Sequence, residues 1–508
     1  AIGLIGPVSH LAAVDESISS VVLLIGLAVG VDYSMFYLRR EREERARGAS
    51  EEASLQAAAA TSGRAVLVSG ITVLIAMGGM YLAGQSTFVS FATGTMLVVA
   101  IAVVGSLTVL PAVLSKLGDR VNKGRVPFLT PPQKRAAREP RVWSALLDRV
   151  LRRPVVAGGL ALAVLVTLAI PALGLHTAVS GIDTLPRSLK VMQTYDRIQA
   201  AFPGGPIPAN VVVQAKDVRD PGVRREIADL RSQAARSDLF KQPVTVDENP
   251  AHTVATVNIP LAGDGTNARS NVALAKLRDD LVPATVGKVG QADVTGYTAG
   301  SKDFNDLMKS RVPIVFAFVL GLAFLLLLVT FRSIVIPIKA IVLNLLSVGA
   351  AYGLVTWIFQ EGHLESLLGF QSNGAVTSWL PLFLFVVLFG LSMDYHVFIL
   401  TRIREAYDND MSTADAVGSG IRTTASVVSA AAIVMVAVFA IFATLSSLEF
   451  KEFGVGLAAA VLIDATVIRG VLLPAVMKLL GDWNWYLPKA LHWLPRVSHG
   501  PEAEPAKA

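Results

Sequence analysis

Nine stretches of this 508-residue chain stay apolar for roughly twenty residues, about the length a helix needs to cross about 30 Å of hydrocarbon at 1.5 Å per residue. They fall at about 19–38, 65–84, 88–115, 154–174, 311–331, 335–359, 379–400, 421–445 and 452–479. A hydrophobic content of 53% and a mean hydropathy of +0.55 agree with that reading, since both exceed what globular domains in water show. The expected fold class is therefore a polytopic α-helical membrane protein.

The net charge of +6 could suggest a nucleic-acid partner, but its distribution points to a membrane. Basic residues gather at the ends of the apolar runs: RREREERAR after the first, KLGDRVNKGR through VLRRP between the third and fourth, TRIREAYDND after the seventh. Under the positive-inside rule these loops are cytoplasmic. One topology satisfies all of them, and it places residues 175–310 outside. The chain has no cysteine, which excludes disulfides, thiolate metal sites and cysteine nucleophiles. Its opening AIGLIGPVSH has no methionine and no charged region ahead of an apolar core, so it shows no signal peptide and reads like mid-protein sequence.

Internal similarity organises the apolar runs. Placing Asp32 on Asp394 also superposes Tyr33 on Tyr395, Arg40 on Arg402, Arg42 on Arg404 and Glu43 on Glu405. Further along, LVSGITVLIAM matches VVSAAAIVMVA, and LTVLPAVLSKLGDR matches GVLLPAVMKLLGDW, pairing Pro111 with Pro474 and Gly118 with Gly481. Three consecutive helices are thus repeated in the same sense, the parallel kind of repeat found in some transporters. The second copy has two further helices ahead of the repeated three. The expected divisions are 1–117 (three complete helices of a first repeat), 118–153 (a basic cytoplasmic linker), 154–174 (a helix), 175–310 (an extracytoplasmic module), 311–480 (five helices of the second repeat) and 481–508 (a cytoplasmic tail).

Within the module, ANVVVQAK, QPVTVDE, HTVATVNIPL and ADVTGYTA read as strands, and PGVRREIADLRSQAAR and NARSNVALAKLRDDL as helices. The order βαββαβ is that of an α+β, ferredoxin-like unit. A polar helix, SKDFNDLMKS, should feed directly into the fifth span.

The acids inside the spans carry the functional argument. An ionised carboxylate near the bilayer centre costs roughly 2.5 to 3.5 kcal/mol on insertion scales. The neutral acid is the form hydrocarbon tolerates, and a group that changes charge when water or a partner arrives can carry protons. Adjacent residues on a helix point about 100° apart, so Tyr33 should reach the aspartate of the other copy rather than its own. Crossed pairs, Asp32 with Tyr395 and Asp394 with Tyr33, are the expected arrangement; the bland alternative is that each Asp simply bonds a neighbouring helix. Asp464 and Arg469 lie in another apolar run, VLIDATVIRG. Five residues leave them about 140° apart on an α-helix, so an intrahelical ion pair looks strained. Asp464 is expected to face Asp394 and Tyr395, and Arg469 either joins this group or snorkels to the cytoplasmic interface. His396 reads as a packing residue, and Ser69, Thr72, Ser426 and Ser429 as helix-to-helix contacts.

No Walker motif, HExxH pattern or nucleophile elbow occurs, and GGPIP lacks the lysine and helix of a phosphate loop. No catalytic residue, metal site or cofactor is expected, and an intramembrane enzyme has no residue support beyond the acids themselves.

The segments GLAVGVDYSMFYLRREREERARG, FGLSMDYHVFILTRIREA, AAAVLIDATVIRGVLLPA and LLGDWNWYLPKAL resemble the mycobacterial membrane protein large (MMPL) family of the resistance-nodulation-division superfamily, and the likeness covers all but the last residues. The resemblance implies a secondary transporter of the inner membrane that exports lipids or other hydrophobic molecules, driven by protons. It implies a proton relay of Asp32, Tyr33, Asp394, Tyr395, Asp464 and Arg469, and makes 175–310 the second of two porter domains. Helices and a porter domain that precede these in the family are not in this sequence. The chain thus reads as a fragment or as a polypeptide whose remainder another chain supplies, and accessory cell-envelope proteins are further possible partners. The alternative is a non-transporting, lipid- or sterol-sensing scaffold, since related folds include sterol-sensing proteins.

Overall fold

A computed structural model describes residues 2–10, 14–15, 18–46, 48–118, 141–179, 189–201, 208–263, 265 and 267–495. Most of the expected linker, 119–140, and the end of the expected tail, 496–508, lie outside the described residues. Among the described residues nine helices are long and apolar enough to cross a membrane. They are α1 (Ile18–Ala46), α2 (Val66–Ala83), α3 (Ser86–Leu117), α4 (Pro154–Gly174), α5 (Tyr297–Phe331), α6 (Val335–Gln360), α7 (Leu380–Asp408), α8 (Thr413–Phe442) and α9 (Leu448–Trp485). Several outrun their apolar cores. α1 continues through the charged run to Ala46, and α5 starts at Tyr297, so SKDFNDLMKS is its first part.

α7 is the axis of the bundle: 94% of its apolar window is buried, against 17% for the peripheral α4. Such a helix is apolar all round, because every face meets protein. The packing respects the repeat. α1 packs on α3 and α8, while α7 packs on α9 and α2, so each copy's first helix grips the second helix of the other. The two third helices also share their backbone irregularities. α3 widens to a π-turn at Gly105–Val109 and α9 at Asp464–Leu472, each just ahead of a Leu-Pro-Ala-Val segment. Proline inside a helix removes one N–H and crowds the preceding turn, and a wide turn accommodates both effects. Both segments end on a glycine of nearly identical backbone, Gly118 at φ 50° and ψ −133° and Gly481 at φ 52° and ψ −132°.

The module is an antiparallel sheet of β1 (Ala209–Gln214), β2 (Thr245–Glu248), β3 (Val254–Ile259) and β4 (Gln291–Thr295), in the order β2-β3-β1-β4. Val211, Val213, Ala255, Val257 and Ile259 alternate inward and pack with Val223, Ile227 and Leu230 of the helix Pro221–Ala235. This core is separate from the core of the bundle. Several connections tie the module to the spans. The segment Thr177–Ala178 pairs in parallel with Val376–Thr377, just before α7. Arg278 also holds Asp303 of α5 with two hydrogen bonds, 2.7 and 2.9 Å, while donating to the Val294 carbonyl at 3.0 Å. α5 thus runs as one helix from the module across the bundle.

α4 meets α6 so closely that a Cβ on Gly353 would stand 1.8 Å from the Leu168 carbonyl oxygen, whereas one on Gly349 would meet only Ala169 at 3.6 Å. Gly353→Ala should therefore lower stability by about 1–3 kcal/mol. Thermal unfolding of the purified protein in detergent checks this, with Gly349→Ala expected to remain near wild type.

Candidate functional site

Asp32 lies fourteen residues after the start of α1 and Asp394 fourteen after the start of α7 (18 to 32, and 380 to 394). The two helices are related by the repeat, so their aspartates sit at matched depth. Both side chains are buried, and so are Tyr33 and Tyr395. The phenols cross between copies. Tyr33 donates to Asp394 Oδ2 at 3.4 Å, and Tyr395 donates to Asp32 Oδ2. Tyr395 also contacts Met435 Sδ at 3.1 Å. The crossing follows from helix geometry, because consecutive side chains diverge by about 100° and cannot both serve the same helix's acid. Ser69 of α2 is buried beside Asp394 and Tyr33.

Arg469 departs from the α-helical expectation. It forms an ion pair with Asp464 on its own helix, and both are buried, with side-chain exposures of 5% and 6%. The reason is the π-turn that spans the two residues: its bonds run between residues five apart, which brings i and i+5 to one face. Arg469 therefore does not snorkel. It donates to the Ser392 carbonyl at 3.2 Å, and its guanidinium lies 4.3 Å from the centre of the Tyr395 ring, close enough for a cation–π contact. A sequence-based angle of 140° assumes a regular α-helix, and the irregularity at this point overturns it.

A cavity of about 20 Å³ opens beside this pair, lined among others by Asn344, Ser347, Ser392, Tyr395 and Asp464. That is room for a water, which needs roughly 10–15 Å³. Asn344 Nδ2, Ser392 Oγ and Asp464 Oδ1 are buried here without a hydrogen-bond partner. Asp464 shares the cavity with Tyr395 as expected, but Asp394 is not among the lining residues. The chain of contacts runs from Asp464 through Arg469 to the Tyr395 ring, and from the Tyr395 hydroxyl to Asp32.

His396, Thr72, Ser426 and Ser429 each make at least one contact of a structural kind. His396 is fully buried with Nδ1 3.3 Å from the Ser392 carbonyl. Thr72 and Ser429 bond the carbonyls four residues back, at 2.9 and 2.7 Å. Ser426 instead accepts from Arg39, which also reaches the Thr423 carbonyl at 3.1 Å and so clamps α1 to α8. Sequence reasoning missed Asn344 and Ser347, although an isolated asparagine in the run AIVLNLLSVG is itself a signal. Among the described residues no cluster of His, Cys, Asp and Glu could hold a metal.

The arrangement is three buried carboxyl groups and one buried guanidinium, with Asp32 and Asp394 on the repeat-related helices α1 and α7 and Asp464 and Arg469 on α9. The MMPL family pattern matches residues 1–157 and 183–505. The chain belongs to the MMPL family. MMPL relatives include the mycolic acid-containing lipids exporter MmpL11 of Mycolicibacterium smegmatis, 36% identical over 97% of this chain and 52% of that protein. The heme uptake protein MmpL11 of Mycobacterium tuberculosis is 36% identical over 97% of this chain and 51% of its own length. The trehalose monomycolate exporter MmpL3 of the same species is 31% identical, over 98% and 54%. The chain thus spans about half the length of the curated relatives it matches. Among solved structures, SecDF of Thermus thermophilus superposes with a TM-score of 0.54 at 15% identity, over 90% of this chain and 54% of that one. At that identity the likeness is one of fold: a polytopic helical bundle with an α/β module outside it.

Proposed function

We propose that this chain works as part of a proton-driven transporter in the inner membrane that exports lipids or other hydrophobic molecules. Asp32, Tyr33, Asp394, Tyr395, Asp464 and Arg469 form its proton relay. The observation that carries this reading is the crossed pairing of two buried aspartates with two buried tyrosines at matched depth in repeated helices. In this reading Asp32 and Asp394 carry protons, and the phenols hold each carboxyl in place and pass a proton between copies. Arg469 supplies the fixed positive charge. Three carboxylates against one guanidinium leave two excess negative charges, which hydrocarbon tolerates only if protons neutralise them. Changing the proton count of the site changes the charge between α1 and α7, and so the preferred packing of the two copies. α5, continuous with the module, and the Thr177–Ala178 pairing ahead of α7 are the mechanical links by which such a shift reaches residues 175–310, which this reading puts on the outer side of the membrane. The names of the relatives support a lipid cargo, with heme as a second candidate.

The test uses the full-length protein in proteoliposomes with an imposed pH gradient and a fluorescent lipid. Lipid movement should follow the gradient and stop when a protonophore collapses it. Tyr395→Phe should slow this movement while leaving the protein folded, because Asp32 keeps its place but loses its hydrogen-bond donor. Movement indifferent to the gradient would favour the sensing or scaffolding alternative.

A further inference from the structure

The segment Arg141–Arg152, ahead of α4, is an amphipathic helix that sequence reading absorbed into a linker. Its apolar stripe turns Leu147 and Val150 into the bundle. Trp143 packs against the π-turn of α9, where a Cβ on Gly470 would stand 2.7 Å from the indole ring. Asp148 pairs with Arg422 of α8, and Lys478 of α9 donates to the Leu151 carbonyl. The helix is therefore fastened to α8 and α9 on the side of the bundle where the basic ends of α1 and α7 emerge.

Between this helix, α4 and the π-turn of α9 lies a groove of about 940 Å³. Arg149, Arg152 and Arg153 are among its lining residues, all exposed, and among the described residues none of them forms an ion pair. Asp148, the acid that also lines the groove, is already engaged by Arg422. The walls are apolar: Val156, Leu160 and Val164 on α4, and Val467 and Val471 on α9. From Arg153 to Val164 the chain rises about 16 Å as helix. One leaflet's share of a hydrocarbon core about 30 Å thick is about 15 Å, so the apolar wall is as deep as one leaflet.

We propose that this groove binds one anionic phospholipid, its phosphate on Arg149, Arg152 and Arg153 and an acyl chain along α4. Guanidinium groups match phosphate oxygens in planar, two-point contacts. Three cations with no free carboxylate lining the groove among the described residues select a head group of net negative charge. The chain would lie against Val467 and Val471, on the outer side of the segment whose inner side carries Asp464 and Arg469.

The test reconstitutes the full-length protein in phosphatidylcholine nanodiscs carrying a minor fraction of phosphatidylglycerol, then extracts it in detergent and measures retained lipid by mass spectrometry. Wild type should retain phosphatidylglycerol in preference to phosphatidylcholine. The triple variant Arg149→Gln/Arg152→Gln/Arg153→Gln should hold it roughly a hundredfold more weakly, the loss expected of three interfacial arginine contacts. Leu160→Trp, at a position 68% exposed and thus harmless to packing, should also lose it by filling the groove. Lys116→Gln/Lys489→Gln, two exposed lysines elsewhere in the chain, should retain it. Retention by the triple variant, equal retention of phosphatidylcholine by wild type, or equal loss in the lysine variant would each overturn the proposal.

Discussion

Asp394→Asn in the full-length protein should cut proton-coupled lipid movement by at least about a hundredfold, the lower end of what a positioned proton-transfer group contributes. Asparagine keeps the shape of the side chain, and its carbonyl oxygen can still accept the bond from Tyr33. What it loses is the ability to change charge. Fluorescent-lipid efflux from proteoliposomes under an imposed pH gradient is the measurement. Lipid exchange without a gradient, measured in parallel, should be largely preserved, which separates loss of coupling from loss of fold. Asp32→Asn should behave the same way, since the site uses both copies. Undiminished coupled transport in Asp394→Asn would sink the relay.

A second large effect is expected at Arg469. Its guanidinium is the buried partner of Asp464 and lies against the Tyr395 ring. Arg469→Met leaves Asp464 buried without its counter-charge, and breaking such a pair costs about 3–5 kcal/mol. Removing both charges together, as in Asp464→Leu/Arg469→Met, should recover most of that loss, because two buried charges replaced by apolar groups of similar volume are often neutral in stability. Thermal unfolding of the purified variants in detergent reads both. A single variant as stable as wild type would mean that Asp464 does not need Arg469, and the double variant should still fail to couple transport to protons.

The aspartates of α1 and α7 were legible because the signal is local and repeated: an acid and a phenol in adjacent positions of an apolar run, twice, with matching arginines downstream. Helix geometry then required the pairs to cross, and they do. The βαββαβ order of the module was legible for a related reason, since alternation and turn residues are written in short windows. Arg469 was not legible, because its partner depends on whether the backbone turns by 3.6 residues or by more at that point.

The composition and spacing of residues by themselves determined the spanning helices, the parallel repeat, the depth of Asp32 and Asp394 and the family. These follow from hydrophobic length and from periodicity, which each segment carries within itself. Only the tertiary structure decided the facing of Asp464 and Arg469, the polar cavity that Asn344 and Ser347 join from α6, the clamp of Arg39 on α8, and the helix Arg141–Arg152 with its basic groove. Each of these depends on which helix lies beside which and on a widened turn, and a helix carries no record in its own sequence of the neighbour it will meet.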